Sequence, residues 1–303
     1  MRSGQEPIDR ALRLGSPGRS RGFTVLELLV TTATIGLMVA LVLPAINAAR
    51  ESSRDMLCRN NFRQVGIALH SFHETNRHLP TGWHRDPTHR TAFGWASQIL
   101  PYLDQTNLSA RIDFRQAVDS TTNQALRHTT PNVFLCPSDY ANQVFAMFAE
   151  GQDDNHTSAA SVAAYSADPV ILAELPASNY VGVFGITDPD VAPDAPGAGV
   201  FIQDHSFRFA DLLRGQSNTV IVGERTARKL PSTWLGIVMD GEDTVARITG
   251  FCEEGPNYVG SDECEFDSRH SGHVNFLYAD GHVAAVHNDI APSIYRTLPT
   301  RNE

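Results

Sequence analysis

Twelve histidines, four cysteines and one carboxylate at the mouth of an apolar run are the residues of this chain that invite chemistry. His70-Ser71-Phe72-His73 sets two imidazoles three positions apart, with Glu74 beside them and His78 beyond, a helical spacing that suits zinc. Phe72 directs the local apolar stripe elsewhere, and Cys58 lies several helical turns away. Helix-end histidines more commonly face water or cap carbonyls, so no metal is assigned. His270, His273, His282 and His287 flank a second region. Strand residues of equal parity share a face, which separates His270 from His273. No nucleophile or metal motif accompanies them, and His270 reads as a hydrogen-bonding strut. Glu253, Glu254, Asp262, Glu263, Glu265 and Asp267 crowd around Cys252 and Cys264. Asp262, Glu263 and Glu265 could give calcium its oxygen ligands, but no EF-hand spacing is present and a solvated acidic surface is the plainer reading. No glycine-rich phosphate loop, G-x-S-x-G elbow or paired-carboxylate arrangement appears. The expectation is therefore no enzyme, no catalytic residue and no cofactor.

These residues need a frame. A chain of 303 residues can bury a real core, and 42% hydrophobic with 19% charged residues is a globular balance. A net charge of −10 argues against a nucleic-acid partner, because a phosphate backbone wants a basic face. Cys58, Cys136, Cys252 and Cys264 allow three pairings, and whether they pair depends on the compartment. With the body outside the cytoplasm, a Cys252–Cys264 bridge would close a short loop, contributing about 3 kcal/mol in the chain-entropy model. Cys58–Cys136 would staple helix to sheet.

The compartment is set by the N-terminus. Arg2, Arg10, Arg13, Arg19 and Arg21 make residues 1–22 basic, and a basic flank stays in the cytoplasm. Phe23 to Ile46 would extend about 36 Å as a helix, enough for a hydrocarbon core of about 30 Å. An ordinary secretory signal fits poorly, since the apolar run is long and the residues before Ala49 make a weak cleavage site. A plain anchor would do better without Glu27. A carboxylate at the lipid boundary is costly unless paired. Cleavage after Gly22 would create an α-amino group on Phe23 near the level of Glu27, in the same helix or in a neighbouring one packed with an axial offset.

Gly22-Phe23-Thr24-Val25-Leu26-Glu27-Leu28-Leu29-Val30 resembles the prepilin-type cleavage and methylation signal of type IV pilins and type II secretion pseudopilins. Gly36 and Pro44 fall where that family loosens or kinks its helix. The resemblance implies removal of residues 1–22 by a prepilin peptidase, N-methylation of Phe23, and assembly with other pilin-like subunits through the apolar helix and Glu27. The run Cys58 to His70, the segment Phe134-Leu135-Cys136-Pro137-Ser138-Asp139, and His270 spaced nine residues from Asp280-Gly281 are similar to markers of a large bacterial prepilin-like family of unassigned function.

The rest of the frame follows from periodicity. Cys58, Phe62, Val65, Leu69 and Phe72 form a helical stripe, so a helix from about Thr24 to His73 is expected. Trp95–Leu103 reads as a short helical patch, Asn132–Asp139 as a strand entering a turn, and Ser178–Ile186, Thr219–Gly223 and Leu235–Met239 as strands. Residues 150–169 and 188–199 read as surface excursions. Asp280-Gly281 predicts a hairpin over 274–287 with a two-residue type I′ turn. The fold class expected is α+β and pilin-like: leader 1–22, transmembrane and assembly helix 23–46, amphipathic extension 47–73, and an extracytoplasmic β-rich domain 74–303. The expected product is a single-pass subunit of the cytoplasmic membrane, with its N-terminus inside and its body available to a surface or periplasmic filament. The alternative is an envelope-tethered module that binds a solute or glycan and uses the signal only as an anchor.

Overall fold

The computed structural model describes residues 22–139, 142–149, 170–191 and 197–302. The leader up to Arg21, the excursion at 150–169 and the centre of the 188–199 loop lie outside the described residues. A single helix, α1, runs Val25–Asn76. It is the expected helix, with its far end carried three residues beyond His73. Thr24 and Glu27 close its N-terminus as a capping box. Glu27 Oε2 accepts from the Thr24 amide at 2.9 Å, and the Glu27 amide donates to Thr24 Oγ1 at 3.2 Å. The helix passes through Pro44 without a break. Its apolar segment reaches a mean hydropathy of 2.2 with none of it buried, which is long and apolar enough to cross a membrane.

The chain divides into two units between Ala49 and Arg50. The second, Arg50–Glu303, is organised around the distal part of α1, whose buried side chains are Cys58, Phe62, Val65, Gly66, Ala68, Leu69 and Phe72. Every member of the expected stripe is among them. The strands of this unit are β1 (Trp83–Arg85), β2 (Thr91–Gly94), β3 (Val144–Phe148), β4 (Ile171–Ser178), β5 (Tyr180–Gly185), β6 (Val220–Glu224), β7 (Ser232–Thr233), β8 (Gly236–Val238), β9 (Thr249–Phe251), β10 (His273–Tyr278) and β11 (Val283–His287). The central sheet has the order β11-β10-β6-β5-β9; β1-β2-β8 and β3-β4-β7 form two smaller sheets. All pairings are antiparallel except β5 with β9. The class is α+β, as expected. Phe62, Val65 and Leu69 share one core with Tyr180, Val222, Trp234 and Leu277.

Three local expectations are corrected. Asn132–Phe134 is a 3₁₀ turn after Pro131 rather than a strand. A short apolar run with a proline on either side is too brief to show a period, and its apolar residue Phe134 is buried either way. The β10–β11 hairpin is present, but its last pair is Leu277 with Val283. The Gly281 amide donates to the Tyr278 carbonyl and the Tyr278 amide to the His282 carbonyl. Only Gly281, at φ +90°, is left-handed in this turn, which makes it a three-residue loop with a glycine bulge rather than type I′. Asp280 serves the loop by accepting from the His282 amide at 3.0 Å. Finally, all four cysteines are free thiols. Cys252 packs with Val181, Phe276 and Tyr295, whereas Cys264 packs with Leu230, Ala246 and Phe251. The parallel Phe251–Glu265 bridge sets the two cysteines two positions out of register, so the expected short-loop disulfide does not form.

Candidate functional site

The His70 and His73 pair does not gather ligands. The His70 ring stacks on Phe209 at 4.4 Å between centroids, and His73 Nε2 accepts from the Phe209 amide at 3.4 Å. These imidazoles pack the end of α1 against a loop. Of the acidic residues near Cys264, Asp262 gathers with Asp188 at the Cys264 sulfur, apart from Glu263 and Glu265. Glu265 is fully buried and accepts from the backbone amides of Glu254 and Gly255. Asp262 caps the Cys264 amide at 2.7 Å. Among the described residues, Asp262, Glu263 and Glu265 do not converge as a calcium site.

A fully buried group of four converges under α1. Cys58 comes from the third helical turn past Arg50, Cys136 from the turn after Phe134, Glu224 from the end of β6, and His270 from the turn before β10. One ligand atom from each lies within 4.8 Å of every other, and all four residues are buried. Cys58 is 0% exposed, Cys136 4%, Glu224 2% and His270 3%. His270 Nε2 stands 3.5 Å from Cys136 Sγ and 3.4 Å from Glu224 Oε1.

The surroundings hold these groups in place. His270 Nδ1 pairs with Glu51 Oε1 at 2.7 Å, and Glu51 also accepts from Ser138 Oγ at 2.9 Å. Glu224 Oε2 accepts from Ser268 Oγ at 3.1 Å and from the Asn275 amide at 3.3 Å, while Oε1 is buried and accepts no hydrogen bond. The Cys136 amide donates to Asn179 Oδ1 at 2.9 Å. A second acid from the helix, Asp55, contacts His273 Nε2 at 3.3 Å and lies 3.9 Å from His270 Nε2. His270 and His273 therefore meet at one carboxylate, contrary to the parity argument. His270 sits in the turn ahead of the strand, where alternation has not begun.

Charge follows geometry. Burial opposes a charged imidazole at His270, but the Cys136 thiol and the Glu224 carboxylate outweigh it and push the pKa up to about 11. The hydrogen bond from Cys58, with burial, raises the Cys136 thiol far above its ordinary value. Against burial, the bonds from His270, Ser138 and Arg54 hold Glu51 below the usual carboxylate range. The positive charge so favoured lies on the His270 ring, whose Nε2 faces Cys136 Sγ and Glu224 Oε1.

Of the residues singled out in the sequence, Cys58, Cys136 and His270 are brought together here. Cys252 and Cys264 lie apart, and Asp280 and Gly281 sit at the far end of the hairpin that His270 precedes. Glu224, Glu51 and Asp55 had no signal beyond their acidity. Gly22 and Phe23 stand exposed ahead of the helix. The cap on Glu27, by contrast, was legible as T-x-x-E before an apolar run.

A family model described as "Protein of unknown function (DUF1559)" matches residues 47–293. No curated protein and no solved structure matches the chain.

Proposed function

The chain belongs to the DUF1559 family of proteins of unknown function, and from that premise we propose that it is a prepilin-like, membrane-anchored structural subunit of a type IV pilus or type II secretion pseudopilus-like assembly. The observation that carries this reading is the division of labour along α1. Val25 to Ala49 presents Leu26, Leu29, Leu37, Leu41 and Leu43 to the outside with nothing packed on them, while the following residues are the core of a globular body. Apolar surface of that extent needs lipid or other helices to cover it. In this reading prepilin peptidase cuts between Gly22 and Phe23, Phe23 is N-methylated, and Glu27 neutralises the new amine of an adjacent subunit.

The capping box sharpens the test. Glu27→Gln keeps an acceptor at the third helical position but removes the charge, whereas Glu27→Ala removes both. If Glu27 sets assembly, both variants are processed and inserted yet fail to incorporate into filaments. If it only caps the helix, Glu27→Gln assembles like the wild type and the assembly role is lost. Mass spectrometry of the mature N-terminus is expected to find N-methylated Phe23; a chain retaining its arginine-rich leader would remove the reading, including the use of the signal as a mere anchor.

A further inference from the structure

The geometry points to a structural zinc site formed by Cys58 Sγ, Cys136 Sγ, Glu224 Oε1 and His270 Nε2. Zinc bound by thiolate at about 2.3 Å and by imidazole or carboxylate at about 2.0 Å leaves roughly 3.3–3.8 Å between neighbouring ligand atoms of a tetrahedron. The separations from Nε2 to Cys136 Sγ and to Glu224 Oε1, 3.5 and 3.4 Å, already lie in that range.

Two independent features favour a cation over a neutral packing arrangement. The first is Glu224, 2% exposed, whose Oε2 is occupied by Ser268 and Asn275 while its Oε1 accepts no hydrogen bond and meets the cluster through an ion-pair contact of 3.4 Å with His270 Nε2. A buried carboxylate oxygen held by one long contact is under-satisfied, and a metal ion would satisfy it more fully. The second is the Glu51–His270 pair. A metal-bound imidazole usually gives its other N–H to a carboxylate, which fixes the tautomer and aims the free nitrogen at the ion. Glu51 at 2.7 Å from Nδ1 provides that arrangement, leaving Nε2 toward the two sulfurs and Glu224. Binding a divalent ion would release the protons of the two thiols and of Nε2, with Glu51 keeping the Nδ1 proton in its hydrogen bond.

Four protein ligands and full burial describe a closed site with no open position for substrate, so its duty is cross-linking. It would tie α1, the turn after Phe134, β6 and the turn before β10 into one knot, joining positions spread from residue 58 to residue 270. The same two thiols could instead be oxidised to a Cys58–Cys136 disulfide, which would exclude the ion.

Full-length protein purified in detergent, without added chelator, would be assayed for metal by mass spectrometry and for thiols under non-reducing conditions. About one zinc per chain and four reduced cysteines are expected. Glu224→Gln and Cys136→Ser should each lower occupancy at least tenfold, while Cys252→Ala should not. Cobalt loaded into stripped wild-type protein should give a thiolate charge-transfer band and the intense visible spectrum of a tetrahedral centre, a readout independent of whether any variant folds. A Cys58–Cys136 disulfide in the native chain, metal-free protein that also gives no such cobalt spectrum, or zinc that survives both ligand substitutions would overturn the site. None of these results bears on the maturation of Phe23, so the proposed filament role stands or falls separately.

Discussion

Glu51 shows how one side chain on a helix can govern a site it never enters. It holds His270 at 2.7 Å and Ser138 at 2.9 Å, and so joins the two turns that deliver His270 and Cys136. Glu51→Gln preserves shape but weakens acceptance at Nδ1, and is expected to lower zinc affinity about 10–100-fold in a competition with a chromophoric chelator. A purely structural strut would shift the melting temperature and leave that affinity alone. Asp190 gives a residue-scale test that needs no metal. Its oxygens accept from the Val245 and Ala246 amides at 2.8 and 2.9 Å, yet burial wins and raises its pKa to about 6. The folded state therefore holds a proton that the unfolded chain releases near pH 4. The stability this group contributes is present below that pH and is lost as pH rises toward 6, on the order of 2–3 kcal/mol in all. Urea unfolding of the wild type and Asp190→Asn between pH 4 and 7 should show the variant missing that decline; parallel curves would contradict it.

At the scale of elements, the β10–β11 hairpin lies along α1 and is held at both ends. The His270 turn meets Glu51 and Asp55. At the other end the Gly281 loop abuts Gly66, where an added Cβ would come within 3.5 Å of the Gly281 Cα and 3.0 Å of Leu277 Cδ1. The spacing of His270 from Asp280-Gly281 thus matches a strand that must touch the helix twice. Gly281→Ala leaves room for the new carbon, which would sit 3.7 Å from the His70 ring, but imposes φ +90° on an alanine. A cost of about 1–2 kcal/mol is expected from chemical denaturation. Much of this was legible beforehand. The α1 stripe repeats every three or four residues, and the Asp-Gly pair marks a turn, so both are local signals. The turn type was not legible, because it depends on the Leu277–Val283 register. Nor was the cluster. Its four members come from residues 58, 136, 224 and 270, and only the closing of the central sheet against α1 puts Glu224 opposite His270. Thr24 and Glu27 are the reverse case: T-x-x-E ahead of an apolar run is a local capping signal, and Thr24 is the nearest partner of the Glu27 carboxylate.

For the whole molecule, the boundary at Ala49–Arg50 separates surface that the chain covers by itself from surface that it leaves to its surroundings. No described residue before Arg50 is buried, so removing residues 1–49 takes nothing from the core. A chain beginning at Arg50 is expected to be soluble without detergent and to unfold cooperatively, with a melting temperature close to that of the full-length protein. A chain beginning at Arg77 loses Phe62, Val65, Leu69 and Phe72 together, all of them buried against the sheets. Large-to-small losses in a core cost about 2–5 kcal/mol each, so four come to about 8–20 kcal/mol, as much as or more than the roughly 5–15 kcal/mol that holds a domain together. The shorter chain should therefore show no cooperative transition and should bind hydrophobic dyes. Comparison of the two by circular dichroism and limited proteolysis decides the matter. If the Arg77 chain folded as well as the Arg50 chain, α1 would be an accessory to the body, and the contacts at Gly66 and His270 could not be what organises it. If only the Arg50 chain folds, the helix that carries the apolar segment is also the core of the body. A force applied to that segment would then reach the sheets through packed side chains rather than through a loose tether, as a subunit drawn into a filament requires.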